Sequence, residues 1–213
     1  MNIGLTVLSG GMDSAVLLHM MRGQFDLLHA ITFNYGQRHE KEIEFAKRLA
    51  DKVGVQEHKV VDLRVLRPLL SGSALTSTNI DVPDGHYTDE VMKSTVVPNR
   101  NAIMLAIATG YAISRGIDVV GLAVHAGDHA IYPDCTPEFL KALDTAFCIG
   151  NYTSPKLYAP FVRMSKTDIA RIGVTLGVNF DETWSCYKGG ETQCGTCGTC
   201  VERLEALAGA GVR

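Results

Sequence analysis

With 213 residues, 46% hydrophobic and 20% charged, the chain has the make-up of an ordinary globular protein of one domain, residues 1–213. A net charge of −3 argues against the clustered Lys and Arg of a broad nucleic-acid footprint. No basic region precedes a cleavable apolar segment at the N-terminus. The longest apolar stretch, 102–113, is broken by Thr109 and Gly110 and is too short to span a bilayer, so a cytoplasmic protein without a membrane partner is expected.

In chain order, residues 3–8 read as a strand and 14–21 as a helix apolar nearly all round, hence buried. A second strand is expected over 27–33. The spacing then predicts a helix over 40–52 that presents Ile43, Ala46, Leu49 and Ala50 on one face. Strands at 58–63 and 118–124 flank a helix at 101–114. Strand–helix alternation of this kind implies a parallel sheet with helices on both faces. Residues 71–95 break the rhythm with Ser, Thr, Asp, Pro83 and Gly85; both a lid or binding loop and a surface insertion fit them. Further on, a short strand at 156–159 precedes a helix near 167–176, and Ser165–Asp168 has the pattern of a capping box for it. A last helix is expected over 201–208.

The stretch LSGGMDSAVLL, residues 8–18, places glycines and serines where the first strand hands over to the first helix. Such a turn lies at the carboxyl edge of the sheet, where open α/β folds bind ligands. Gly10 and Gly11 let backbone amides converge, and the first-turn N–H groups of the helix suit phosphate. Neither GxGxxG nor G-K-[ST] is present, which argues against a dinucleotide fingerprint and a Walker A loop. On the pattern alone, a phosphate cradle and a tight turn capped by Asp13 or Ser14 both stand.

Six cysteines occur, four of them within residues 186–200: Cys186, Cys194, Cys197 and Cys200. C-x7-C-x2-C-x2-C can close a tetrahedral metal site, with Gly195 and Gly198 allowing tight turns. Four protein ligands leave no open position, so a structural metal is expected; zinc and an iron–sulfur cluster both suit four thiolates. Cys135 and Cys148 lie outside this cluster and read as ordinary small residues.

SGGMDS, directly after the first strand, resembles the SGGxDS loop of the ATP pyrophosphatases, the PP-loop enzymes. The resemblance implies an adenine-nucleotide-hydrolase-like fold and cleavage of ATP to AMP and pyrophosphate. It also implies a nucleotide-binding segment of Leu8, Ser9, Gly10, Gly11, Met12, Asp13, Ser14, Ala15, Val16, Leu17 and Leu18, with Mg²⁺ near Asp13. FNYGQRHEKEIEFA (33–46), VPNRN (97–101), YPDCTPEF (132–139) and the TWSC tail occur with it in order. Together they make the chain similar to the 7-cyano-7-deazaguanine synthase family over essentially its whole length.

That resemblance implies an ATP-dependent ligase that joins 7-carboxy-7-deazaguanine and ammonia, through an adenylated carboxylate and an amide, to give the nitrile. It also implies a zinc segment and a homodimer. Asp13, Ser14 and Arg100 are the expected catalytic residues. Arg38, Asn99, Arg100, Asp128 and Asp134 are expected at the substrate. Of the acids, Asp128 or Asp134 would accept the paired N–H donors of the guanine-like edge, whereas Asp134 could instead cap a helix beginning near Pro137. Lys166 reads equally as a phosphate ligand and as a solvated lysine at a helix start. The family pattern has Asn, Tyr and Arg where this chain has His125, His129 and Thr136. Those histidines either move protons or pack within a loop, and release of the amide rather than the nitrile is a variant of the same chemistry. The rivals are a tRNA-thiolating PP-loop enzyme and a catalytically silent nucleotide sensor.

Overall fold

In the computed structural model of the chain, all residues are described except 71, 78, 87–92, 129–131 and 213. Five parallel strands, β1 (Ile3–Val7), β2 (Leu27–Asn34), β3 (Glu57–Asp62), β4 (Val119–Gly121) and β5 (Lys156–Tyr158), form one sheet in the order β3-β2-β1-β4-β5. The α-helices described here are α1 (Met12–Arg22), α2 (Lys41–Val53), α3 (Arg100–Arg115), α4 (Pro137–Gly150), α5 (Lys166–Thr175) and α6 (Gly198–Gly209).

Alternation along the strands sends successive side chains to opposite faces. Leu28 and Ala30 of β2 join α1, α2, α5 and α6 in one core, which includes Leu17, Leu49, Phe161, Ile169 and Ala206. Ile31 and Phe33 of the same strand join α3 and α4 in the other, with Leu105, Ala108, Val120 and Leu140. Helix α1 is a member of the first core on nearly every turn: Met12, Ala15, Val16, Leu17, Leu18 and Met21 are all buried, as its lack of polar faces requires. Helix α2 buries Ile43, Ala46, Leu49 and Ala50, the four residues that its spacing singled out, and Gly54 closes it in the left-handed conformation. Each Leu or Ile so buried stabilises the fold by roughly 1.5–3 kcal/mol.

Helix α5 begins at the expected capping box: Ser165 Oγ accepts the Asp168 N–H and the Asp168 carboxylate accepts the Ser165 N–H. Thr136, where the family pattern has Arg, is the N-cap of α4 and accepts the Phe139 N–H at 3.2 Å. The expectation that Asp134 caps this helix is therefore corrected. Its carboxylate instead accepts the Asn101 N–H in the first turn of α3, at 3.1 Å. Residues 71–95 are more than a surface insertion where described. Ser73, Ala74, Leu75 and Thr76 are buried, Arg38 donates its amide to Leu75 O, and Asp84 and Gly85 pair with Cys197 and Thr196. A third small core of Ala74, Val82, Trp184 and three of the clustered cysteines sits there.

Candidate active site

Strand order reverses at β1, since β2 follows it on one side and β4 lies on the other. Connections leaving β1 and β4 diverge at such a point and open a crevice at the strands' carboxyl ends. A cavity of about 250 Å³ occupies that place, walled by Ser9, Gly11, Asp13 and Ser14 after β1 and by Leu122–Val124, His125 and Asp128 after β4.

The loop after β1 is closed upon itself. Ser9 donates its amide to Ser14 Oγ at 3.2 Å, Gly11 donates its amide to Ser9 Oγ at 3.1 Å, and Ser14 Oγ donates to Gly11 O at 3.0 Å. The serines thus shape the loop, and Gly11 stands at the N-cap without a side-chain cap. Neither Asp13 nor Ser14 caps α1, so its first-turn amides stay available to an anion. Gly10 has a different constraint. Its φ is +92°, and any Cβ there would strike the Glu42 carbonyl and the Ala46 amide of α2. Close helix packing fixes that glycine, while Trp184 N–H holds its carbonyl at 2.9 Å.

Two groups of polar side chains face the cavity. In the first, His125 is buried, and its Nδ1 accepts the Gly127 N–H at 3.1 Å, which leaves the proton on Nε2. That nitrogen lies 3.6 Å from Asp128 and 3.9 Å from Asp13. Lys166 stands 3.7 Å from Asp13 and 3.1 Å from Glu202. Burial raises the pKa of Asp128, against the pull of His125 and Lys166. Burial alone would lower the pKa of Lys166, but Asp13, Glu202 and Asp128 outweigh it and keep the ammonium charged. Asp13 Oδ1 is buried with no hydrogen-bond partner among the described residues. An unpaired carboxylate oxygen beside a helix N-terminus fits a cation carried in by phosphate groups.

The second group comprises Tyr35, His39, Glu42, Arg100 and Tyr187. Gln37 Nε2 donates to Glu42 Oε1 at 2.9 Å, and His39 Nε2 lies 3.4 Å from the same oxygen. Burial pushes Glu42 up to about 7, opposed by the Gln37 bond and by Arg100. Burial, then Arg100, holds His39 down to about 3, so the imidazole is neutral. Arg100 lies over the Tyr35 ring, 5.9 Å from its centroid, and reaches the Tyr35 hydroxyl at 3.5 Å.

The sulfurs of Cys186, Cys194, Cys197 and Cys200 all lie within 4.8 Å of one another, and none is in a disulfide. Cys194 Sγ and Cys200 Sγ are 3.9 Å apart. That matches the edge of roughly 3.8 Å which a tetrahedron of Zn–S bonds requires. Amides of Cys194, Thr196 and Cys197 donate to cluster sulfurs at 3.2–3.4 Å, as thiolate ligands favour. The sulfurs are not on the cavity wall, but Tyr187, Thr199 and Glu202 of the same segment are.

Of the expected site residues, Leu8, Ser9, Gly11, Asp13, Ser14, Arg100 and Asp128 line one cavity. Gly10 lies behind it, and Met12 and Ala15–Leu18 carry their side chains into the core under the loop. Arg38 donates to Ser77 O at 3.1 Å, exposed Asn99 is the left-handed N-cap of α3, and Asp134 holds Asn101; these three are not on the wall. His129 lies outside the described residues. His39, Glu42, Tyr187 and Glu202 went unread as site residues. The first two stood inside the quoted 33–46 stretch, where a buried-aromatic context (Phe33, Tyr35) ahead of a His and Glu three apart was the available signal.

A family model described as queuosine biosynthesis protein QueC matches residues 3–211. The chain is 54% identical over 210 residues to the 7-cyano-7-deazaguanine synthase of Allorhizobium ampelinum, covering 98% of this chain and 88% of that one. It is 49% identical over 208 residues to the enzyme of that name from Marinobacter nauticus, covering 98% and 93%. Among solved structures, an NMN synthetase from Francisella tularensis shares the fold with a TM-score of 0.52 at 17% identity, over 90% of this chain and 69% of that one. An NH3-dependent NAD synthetase from Campylobacter jejuni does so at 0.50 and 13%, over 85% and 66%. No helix among the described residues is long and apolar enough to cross a membrane. The fold, the loop after β1 and the near-complete match agree: the chain belongs to the QueC family of queuosine-biosynthesis ligases.

Proposed function

We propose that residues 1–213 act as one ATP-using unit that converts 7-carboxy-7-deazaguanine and ammonia into 7-cyano-7-deazaguanine. The observation that carries this reading is the cavity at the β1/β4 switch point, where the loop after β1 meets Arg100, Asp128 and Lys166. A carboxylate is a poor electrophile; transfer of AMP to it creates a good leaving group, which ammonia displaces to give an amide. A second adenylation, at the amide oxygen, permits loss of AMP and formation of the nitrile. For both rounds the ends of the reactants must be held side by side, and most of the acceleration comes from that positioning and from matched charge.

The 8–18 segment would hold ATP, with the amides of the first turn of α1 on the phosphates and Asp13 Oδ1 on Mg²⁺. The ion would supply charge neutralisation for the departing pyrophosphate. Arg100 would orient the substrate carboxylate, since a guanidinium meets a carboxylate in bidentate fashion. Asp128 would accept the donors of the guanine-like edge, with Asn99, Arg38 and Asp134 supporting the surrounding loops. Zinc, held by the four cysteines, would fix the wall that carries Tyr187 and Glu202. Exposed Ile149 and Tyr152 at the end of α4 favour a homodimer, and the charge of −3 disfavours nucleic acid as a partner.

Incubation with 7-carboxy-7-deazaguanine, ammonium and ATP, followed by mass spectrometry, tests this reading. Nitrile with two AMP per product is expected. Amide alone would place the chain as a variant that stops halfway, and no AMP would overturn the reading.

A further inference from the structure

Apart from Arg100, the second polar group on the cavity wall has no task in the adenylation steps. Glu42 is a carboxylate on that wall among Phe33, Tyr35 and Tyr187. Both contacts described for it, from Gln37 and His39, fall on Oε1. His39 is 2% exposed and also faces the cavity, and its Nδ1 is buried without a partner among the described residues. With the ring proton on Nε2, toward Glu42 Oε1, His39 steadies the carboxylate and leaves Oε2 to a ligand. The ring is held by Tyr187, its centroid 4.7 Å away. A carboxylate oxygen, Oε2, outside both of those contacts and set in an aromatic wall asks for a small ligand that carries N–H donors.

We infer that Glu42, held in place by His39, is the ammonium-binding and deprotonating group of the enzyme. The inference rests on the function proposed above. At neutral pH the nitrogen source is mostly ammonium, which has no lone pair with which to attack. Glu42 takes one proton from NH4+, becoming a carboxylic acid, and the freed ammonia attacks the acyl carbon of the adenylate. The C–N bond forms, the C–O bond to phosphate breaks, and its electron pair leaves with AMP. The second proton lost by nitrogen goes to the departing phosphate, giving the neutral amide. Glu42 returns its proton to water before the next round. His39, its ring stacked on Tyr187, points Nε2 at Oε1 and so holds the Glu42 carboxylate in place; it is a positioning residue. Burial gives Glu42 an affinity for protons suited to this exchange near neutrality. Arg100, on the same wall, is left to the anionic end of the substrate.

The test uses Glu42→Gln and His39→Phe in the full-length chain, the latter keeping the ring stacked on Tyr187. Carboxylate-dependent ATP–pyrophosphate exchange, which needs no nitrogen source, is measured alongside steady-state amide formation. In Glu42→Gln, KM for ammonium should rise by about tenfold or more, while KM for the carboxylate and the exchange rate stay within about twofold. His39→Phe should shift ammonium KM in the same direction. Hydroxylamine, which is mostly neutral at pH 7, should restore turnover of Glu42→Gln to within about threefold of the parent. An unchanged ammonium KM in both variants would overturn the inference. So would a rise in carboxylate KM or a lost exchange rate, which would make Glu42 a reader of the heterocycle or a structural group. Absence of exchange in the parent would instead sink the proposed function.

Discussion

The loop after β1 and the cysteine segment both border the cavity, yet they are built in opposite ways. The loop organises itself within six residues, Ser9 to Ser14, through four hydrogen bonds between its own serines and glycines. It rests on α1, whose buried side chains continue straight into the main core. The cysteine segment has only a small core of its own, centred on Trp184 and the cysteines. It nonetheless reaches back to hold Gly10 O through Trp184 N–H and supplies Tyr187, Thr199 and Glu202 to the wall. A self-closing loop on a deep core can carry chemistry unaided. A long excursion with little to bury needs a cross-link, and four sulfurs at metal spacing are suited to provide it.

The sharpest break of that contrast is Cys197→Ser. Removing one ligand from a closed four-thiolate site should release the metal and lower the melting temperature by roughly 10 °C or more. One zinc per parent chain is expected by elemental analysis. The sheet should survive, so far-UV circular dichroism should change little at low temperature while activity is lost. A stable, active Cys197→Ser protein that holds no metal would remove the cross-link from the account.

Smaller effects are expected inside the cavity. If Asp128 takes the proposed place at the guanine-like edge, Asp128→Asn replaces an acceptor by a donor there and should weaken carboxylate-substrate binding by about 2–4 kcal/mol, with ATP affinity nearly unchanged. Asp134→Asn should leave both affinities alone, because that carboxylate serves the first turn of α3. Calorimetric titration of the two variants decides between them; normal substrate binding by Asp128→Asn would take the acid out of the site.

The smallest effect concerns stability. Glu42 binds its proton more tightly folded than unfolded, with a folded value of about 7 set by burial. The folded state therefore holds the extra proton between about pH 4.5 and 7, and the contribution of Glu42 to stability falls as pH rises through that window. His39, held down to about 3, acts in the opposite sense below its ordinary value. Glu42→Gln leaves the histidine contribution in place. The variant should consequently gain on the parent by about 2 kcal/mol between pH 5 and pH 8, read from urea unfolding at each pH. A difference independent of pH would mean that Glu42 is not held as a buried acid.

What could be read in the sequence follows the same division between local and distant order. The buried face of α2, the Ser165–Asp168 capping box, the strand alternation and the closed four-cysteine spacing are short-range patterns, and the fold repeats them. The serines of the loop were legible as polar, but not as partners of each other. Gly10 was read as room for a phosphate, whereas the approach of α2 also demands it. His125 was read without a partner although Gly127 and Asp128 lie two and three residues on; only its approach to Asp13, on another strand's loop, leaves no local trace. Glu202 and Tyr187 join the wall only after the chain has returned from β5. Asp134 was expected at the substrate, with a cap on the following helix as the alternative, but its bond runs back to α3, which precedes it. Tertiary pairings of this sort leave no periodic trace.

The central claim is that the loop after β1 carries the ATP chemistry while the cysteine segment is scaffold, and Asp13→Ala tests it most directly. Asp13 is a partly exposed side chain at the cavity; its Oδ1 has no partner among the described residues, and Lys166, which stands 3.7 Å from its Oδ2, keeps Glu202 at 3.1 Å when Asp13 is removed. Carboxylate-dependent release of pyrophosphate should fall by about a hundredfold or more in this variant, with one zinc retained per chain and a melting temperature within about 3 °C of the parent. Near-normal pyrophosphate release would contradict the account and return the loop to a tight turn between a strand and a helix.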